Sequence, residues 1–270
     1  MIKAIKPDNK IFKSEEFQKD RYKFIVLLSN LDSETLELYS DEENYLLCRG
    51  NVSLPTWIWT KDNFDKSLLS EIEEAIDMYR LEDVETRFTC KKELYDLLVS
   101  DYNYLGDYFF EMGYLVCKET KPPKKTDGYM DEVKKEDEEI LTKFIYNETR
   151  EISDVRELSM EESKERFYKR LNRGNYYVWK NDEGEIVCQA DYNVVDGNAK
   201  MGGVYTLPEA RGKGYAANII YNLTNKALKE GHHVSLYTDY RYIPSNRAYK
   251  NVGYVDDDIL INFSCKKISD

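Results

Sequence analysis

From Tyr176 onward the chain alternates apolar and polar positions in short runs. Tyr176 to Lys180 (YYVWK) and Ile186 to Val195, joined by the turn Asn181 to Gly184, predict a hairpin built on β-branched and aromatic residues. A second turn, Asp196 to Asn198, leads into a strand over Lys200 to Thr206. A glycine-rich turn follows, then a helix from Tyr215 to Lys229 closed by Gly231. HVSLYT predicts the next strand, Ser245 to Asn251 a short helix stopped by Gly253, and Tyr254 to Phe263 a closing strand. Ahead of these, Glu132 to Asn147 carries Val133, Ile140, Leu141, Phe144 and Ile145 at helical spacing. Ser159 to Leu171 opens with the capping pattern Ser-x-x-Glu, so two helices are expected before the first strand.

The first half reads as a similar mixture: LLSNL, NYLLC and TWIWT as strands, a helix from Lys66 to Tyr79, TRFTC, a helix, then YLVC. Between the halves, Glu119 to Gly128 (ETKPPKKTDG) interrupts the periodic pattern with paired prolines and a terminal Asp-Gly. The domains are therefore placed at 1–120 and 128–270. FFEMGY and AYKNVGY end on Gly113-Tyr114 and Gly253-Tyr254, each with an aromatic four positions before the glycine, Phe109 and Tyr249. That offset of about half the chain suggests a tandem repeat.

Composition narrows the class. A chain of 270 residues with 41% hydrophobic and 33% charged residues suits two small soluble domains. No apolar run approaches the ~20 residues needed to cross a bilayer and the start is charged, so a cytoplasmic protein without membrane partners is expected. The five cysteines are scattered, with no CxxC pair and no neighbouring histidine; they read as reduced core thiols, and no metal site is expected. A net charge of −12 argues against a nucleic-acid partner and mildly favours a cationic small-molecule or peptide substrate.

The stretch with chemistry in it is Gly203 to Ala216 (GVYTLPEARGKGYA), a strand running into a glycine turn that opens a helix. A helix N-terminus offers unpaired N–H groups and partial positive charge, and Gly212 and Gly214 let an anion approach the backbone, with Arg211 and Lys213 beside it. A tight turn alone would also need glycine. The segment RGKGYA, however, resembles the pyrophosphate-binding signature of the GNAT superfamily of acetyl-CoA-dependent N-acetyltransferases, matching at Arg211, Gly214 and Ala216. The approach VYTLPEARGKG resembles that family's Val-x-Thr-x-Pro strand. SNRAYKNVGY resembles its last block, matching at Ser245, Asn246, Tyr249, Gly253 and Tyr254.

The resemblance, which spans about Gly128 to Phe263, implies acetyl-CoA as co-substrate. It places the pantetheine arm on Val204 and Thr206, with the Val204 amide polarising the thioester carbonyl. It places the pyrophosphate at Arg211, Gly212, Lys213, Gly214, Tyr215 and Ala216, a further contact at Asn246, and the acid that protonates the departing thiolate at Tyr249. A phenol with a pKa of ~10 is protonated at neutral pH and can serve so. The implied fold is α/β (α+β): tandem GNAT-like domains, each with a mixed, mostly antiparallel central sheet flanked by helices.

The chain also departs from the pattern. Tyr242 stands where many relatives have a second Asn, and Lys200 to Thr206 holds no carboxylate to act as general base. Deprotonating an alkylamine of pKa ~10.4 unaided at pH 7 costs about 4 to 5 kcal/mol. A water chain, Asp191 or a carboxylate of the first half could help. His232 and His233 follow the helix-ending Gly231 and read as surface or capping residues, and Trp57, Trp59 and Trp179 as strand cores. Were the repeat real, TWIWTKDNFDKS would stand for VYTLPEARGKG without its arginine or glycines, and Phe109 for Tyr249, giving a degenerate N-terminal domain with no CoA motif. The expected activity is transfer of acetyl to a primary amine by direct attack, in a monomer or homodimer. A non-catalytic acyl-CoA sensor and an aminoacyl-tRNA-dependent transferase of the same fold are the alternatives.

Overall fold

The structure, a computed structural model, describes residues 3–51, 54–79, 86–101, 105–151 and 156–265. The first half opens with a two-residue strand, β1 (Lys3–Ala4), and two short helices, α1 (Glu15–Asp20) and α2 (Ile25–Ser29). Three strands follow, β2 (Glu37–Ser40), β3 (Tyr45–Arg49) and β4 (Thr56–Thr60), then α3 (Leu69–Tyr79), β5 (Thr86–Lys91), α4 (Lys92–Asp101) and β6 (Leu105–Val116). LLSNL, expected as a strand, is instead largely the end of α2. Leu27 is fully buried there while the Asn30 amide bonds back to Val26, a local i−4 bond that no strand could make.

The second half begins with β7 (Tyr129–Glu132), which the sequence pattern did not single out, followed by α5 (Glu138–Glu151) and α6 (Met160–Arg173). The expected helix from Glu132 therefore starts later, because Tyr129–Glu132 pairs along Lys180–Tyr177 as a sheet edge. The capping box at α6 forms as expected: the Ser159 hydroxyl accepts from the Glu162 amide at 3.2 Å, and the Glu162 carboxylate accepts from the Ser159 amide at 2.8 Å. Then come β8 (Tyr176–Lys180), β9 (Ile186–Val195), β10 (Asn198–Thr206), α7 (Tyr215–Lys229), β11 (His233–Asp239), α8 (Ile243–Val252) and β12 (Val255–Cys265). The β9–β10 hairpin turns on Asp196 and Gly197, both at positive φ (48° and 76°), as a two-residue turn between right-twisted strands requires.

The chain forms two compact units. One comprises Met1–Tyr114, Asp239–Arg241 and Asp257–Asp270, the other Leu115–Thr238 and Tyr242–Asp256. This differs from a division at 1–120 and 128–270 in two ways. The proline-bearing segment lies within the second unit, strapped along α7: the Thr120 hydroxyl bonds Asn225, and the Lys124 carbonyl accepts from Asn218. The last strand, β12, belongs to the first unit, where it pairs antiparallel with β5 from Leu260↔Lys91 to Cys265↔Thr86.

Within the first unit the strand order is β1-β2-β3-β4-β5-β12-β6. Neighbours from β1 to β4 run antiparallel, and β4 and β5 run parallel through the crossover α3. Its core includes Leu47, Ile58, Ile72, Phe88 and Phe263, with the last two rings stacked at 5.6 Å. In the second unit β11-β10-β9-β8-β7 are neighbours in that order, antiparallel except for the β10–β11 pair joined by α7. Both units thus contain antiparallel strands leading into one parallel βαβ crossover, the element order read from the sequence. The residue echo does not hold: Phe109 lies in β6 whereas Tyr249 lies in α8, so the two aromatics are not equivalent. Gly113 packs on the Tyr240 ring in mid-strand, while Gly253 ends α8 at φ +113°.

Candidate functional site

The second unit's sheet opens along β10. Its parallel register with β11 runs from Asn198↔His233 to Lys200↔Ser235 and, among the described residues, no further. On the other side, the register with β9 shifts between Gly202 and Tyr205, so Gly203 and Val204 together face one residue of β9. That bulge needs Gly203, at φ +59°: a Cβ there would stand 2.8 Å from Asp191 Oδ1 and 2.9 Å from Arg170 Cζ. Val204 and Thr206 are half-buried on the opened segment. The Thr206 hydroxyl donates to Cys188 Sγ at 3.2 Å, and its carbonyl accepts from Arg211 Nε at 3.1 Å.

After β10 the chain turns through Gly212 (φ +78°) and Gly214 (φ +93°) into α7. Gly214 is the N-cap, and no side chain caps the helix. The first-turn amides, including those of Tyr215 and Ala216, have no carbonyl within the helix to bond, so this end can hold an anion. Lys213 is exposed beside it. The Arg211 guanidinium instead pairs with Glu151 at 2.6 Å, bracing the turn against α5. The Tyr215 ring is buried, and its hydroxyl donates to both Asp127 oxygens at 2.9 Å. Burial and that carboxylate push its pKa up to about 12. So Tyr215 enters the loop through its backbone, while its side chain secures the strap.

Tyr249 sits half-buried on α8, its ring 6.0 Å from that of Tyr254, whose hydroxyl lies 2.8 Å from Thr224 of α7. Burial, then the charges of Glu148 and Cys188, push its pKa well above the ordinary phenol value. Asn246 lies one turn earlier on α8, its amide nitrogen donating to the Tyr242 carbonyl at 3.0 Å. Tyr242 itself is 48% exposed.

Beneath the bulge lies a cluster that the sequence reading did not assemble. The buried Glu148 of α5 takes two bonds from Arg170, each 3.0 Å, and a third from Gln189. Asp191 accepts from Arg173 at 2.8 Å, with Arg170 Nε 3.6 Å away. Asp191 is thus committed to arginines, which speaks against it as general base. The available signal was Arg166, Arg170 and Arg173, spaced so as to share one face of α6. The two histidines stand apart from all this: His233 Nδ1 is 2.7 Å from Asn198 Oδ1, tying β11 to β10, and His232 lies 3.8 Å from Glu230.

Residues 141–254, which hold most of α5, all of α6 through α8 and the β10–α7 turn, match the family model described as the acetyltransferase (GNAT) family. The chain carries a GNAT acetyltransferase domain. Solved GNAT structures also align along both halves. A GNAT-family acetyltransferase from Colwellia psychrerythraea is 12% identical, covering 98% of this chain and 100% of its own at a TM-score of 0.65. A GCN5-related N-acetyltransferase from Sphaerobacter thermophilus is 12% identical, with 100% and 97% covered at 0.67. One from Kribbella flavida is 15% identical, with 94% and 97% covered at 0.62. At such identities the likeness is one of fold. No curated protein sequence matches the chain significantly. Among the described residues, no helix is long and apolar enough to cross a membrane.

Proposed function

We propose that the GNAT domain transfers acetyl from acetyl-CoA to a primary amine. The observation that carries this reading is the junction of β10 and α7. There a strand segment without its β11 partner leads through two left-handed glycines into helix amides that no side chain caps. The α7 amides from Tyr215 and Ala216 would hold the pyrophosphate, with Lys213 adding charge beside them and Arg211, through Glu151, bracing the turn. Val204 and Thr206 would offer backbone to the pantetheine arm, and Asn246 a side-chain contact from α8. The Val204 amide, inside the bulge, would steady the oxygen on which charge develops as the amine attacks the thioester carbon. The amine attacks as the neutral base, and the new C–N bond forms as the C–S bond breaks. Tyr249 would give its proton to the sulfur, and the nitrogen would shed its extra proton to water, which returns one to the phenolate. The raised pKa of Tyr249 keeps its proton in place until a base as strong as a buried thiolate appears.

In the first unit, the segment after β4 differs at the same point. Asp65 accepts from the Ser67 amide at 2.9 Å, and the Ser67 contacts hold its carboxyl below the usual range. A fixed negative charge there opposes a second pyrophosphate. Calorimetric titration of acetyl-CoA into wild type and Gly214→Glu tests the reading: micromolar binding in the first and none in the second is expected. Thiol release with pooled amines then tests transfer. Binding without release would instead fit a sensor, and no binding by wild type would end the proposal.

A further inference from the structure

The face of β10 that carries Lys200 has an excess of positive charge in a chain whose net charge is −12. Lys200 of β10 shares that face with Arg170 and Arg173 of α6, which reach Gly203 and Asp191, and the exposed Arg166 precedes them by one turn on the same face of α6. Two carboxylates, Glu148 and Asp191, lie among them. Arg170 and Gln189 occupy Glu148, and Arg173 with Arg170 occupies Asp191. Among the described residues, no carboxylate pairs with Arg166 or Lys200. Lys200 is half-buried, its ammonium 5.8 Å from the centre of the Tyr237 ring.

The cluster adjoins the bulge. Lys200 pairs with Asn193 and Gly202 with Asp191, so strand alternation puts Lys200, Gly202 and Asp191 on one face. Asp191 and Arg170 in turn pack against Gly203. From Lys200 to Val204 is about 13 Å of strand, within the span of a small acceptor and a long side chain. A half-buried ammonium beside an arginine is unfavourable alone. Burial and the like charges of Arg173 and Arg166 lower the Lys200 pKa despite the pull of Asp191. An anion delivered at that point would relieve both costs.

We infer that the acceptor amine also bears an anionic group, a carboxylate or a phosphate, which Arg166 and Lys200 hold beside the β10 bulge. The inference rests on the acyl-transfer reading and narrows its acceptor. It reverses the preference for a cationic substrate suggested by net charge, since local charge decides what a cleft accepts.

Two measurements test it. Thiol release is compared for amines paired by charge: amino acids against their carboxamides, and phosphoethanolamine and glucosamine 6-phosphate against ethanolamine and glucosamine. The anionic member is expected to have a kcat/KM at least about tenfold higher, and Lys200→Met or Arg166→Gln to cut that ratio by about tenfold. A ratio near one in wild type, or one unmoved by either variant, overturns the inference. Independently of turnover, inorganic phosphate or acetate at constant ionic strength should raise the Tm of wild type more than that of the Lys200→Met/Arg166→Gln double variant. Equal shifts overturn it, and the more effective anion tells phosphate from carboxylate. Loss of acetyl-CoA binding, read by calorimetry, would signal failure of the acyl-transfer reading instead.

Discussion

At Gly214 the backbone lies at φ +93°, with the nearest atoms to a notional Cβ 3.7 Å away, so conformation and not space demands glycine there. That requirement was legible because the same sequence position carries both the turn and the anion-binding motif. Tyr249 was legible by position alone, among 23 tyrosines. Its environment was not, since Glu148 and Cys188 come from elements far away in sequence. Tyr249→Phe keeps the ring and removes the proton. Its kcat should fall about a hundredfold with acetyl-CoA affinity nearly unchanged, measured by thiol release and calorimetry. An equal loss in binding would make the residue a packing element. Because the phenol pKa lies above its ordinary value, no alkaline loss of kcat below pH 9 should trace to Tyr249; such a loss surviving in wild type but absent from Tyr249→Phe would contradict that.

Elements are joined by buried charge as well as by apolar faces. In the first unit Asp20, at the end of α1, accepts from Trp59 of β4 at 2.9 Å and pairs with Lys91 of β5 and with Lys23. Lys23 also pairs with Asp258 of β12. Burial alone would raise the Asp20 pKa, but the two ammoniums more than reverse this, so it lies below the usual value. A lowered carboxylate pKa contributes stability that is full above the unfolded value of ~3.9 and is lost as pH falls through the folded one. Asp20→Asn should cost about 1–3 kcal/mol at pH 7, because the buried Lys91 would keep only the exposed Asp62, 2.6 Å away, as its partner. Denaturant melts at pH 7 and pH 3 check this: the difference between the proteins should shrink at the lower pH. None of it was legible, because a charged side chain in a polar-looking segment gives no periodic signal until the strands pair. Elements with strong periodicity were read closely: α7 was expected at Tyr215 to Lys229 and found there. The short strands β1, β2 and β7 offered too few residues for alternation to register.

For the whole molecule, the sequence separated two halves of like architecture but not the path of the last strand. A proline-rich break looks like a boundary from composition, whereas the pairing of Leu260, Ile261 and Phe263 with β5 is non-local. A stop after Asp256 would remove these buried side chains from the first unit, each contributing about 1.5–3 kcal/mol. The first unit, at Met1–Tyr114, should then be cut rapidly by protease while Leu115–Asp256 stays protected, with Trp57 and Trp59 emission shifting to the red. Uniform protection would mean that β12 is dispensable. Expression of 129–270 alone would likewise leave an apolar strand without its neighbour, so poor solubility of that fragment would say nothing about where the acetyl group is transferred.

The position of β12 also sets a timetable. A ribosome delivers β1 through β6 first, yet the unit they form lacks an internal strand of its sheet until residues past Asp256 emerge. The acetyltransferase unit, ending at Asp256, has all its strands earlier. In the cell, the half that is made first is therefore the half that finishes folding last, and during that interval β5 waits with an open edge that a chaperone, or a stray strand, can occupy.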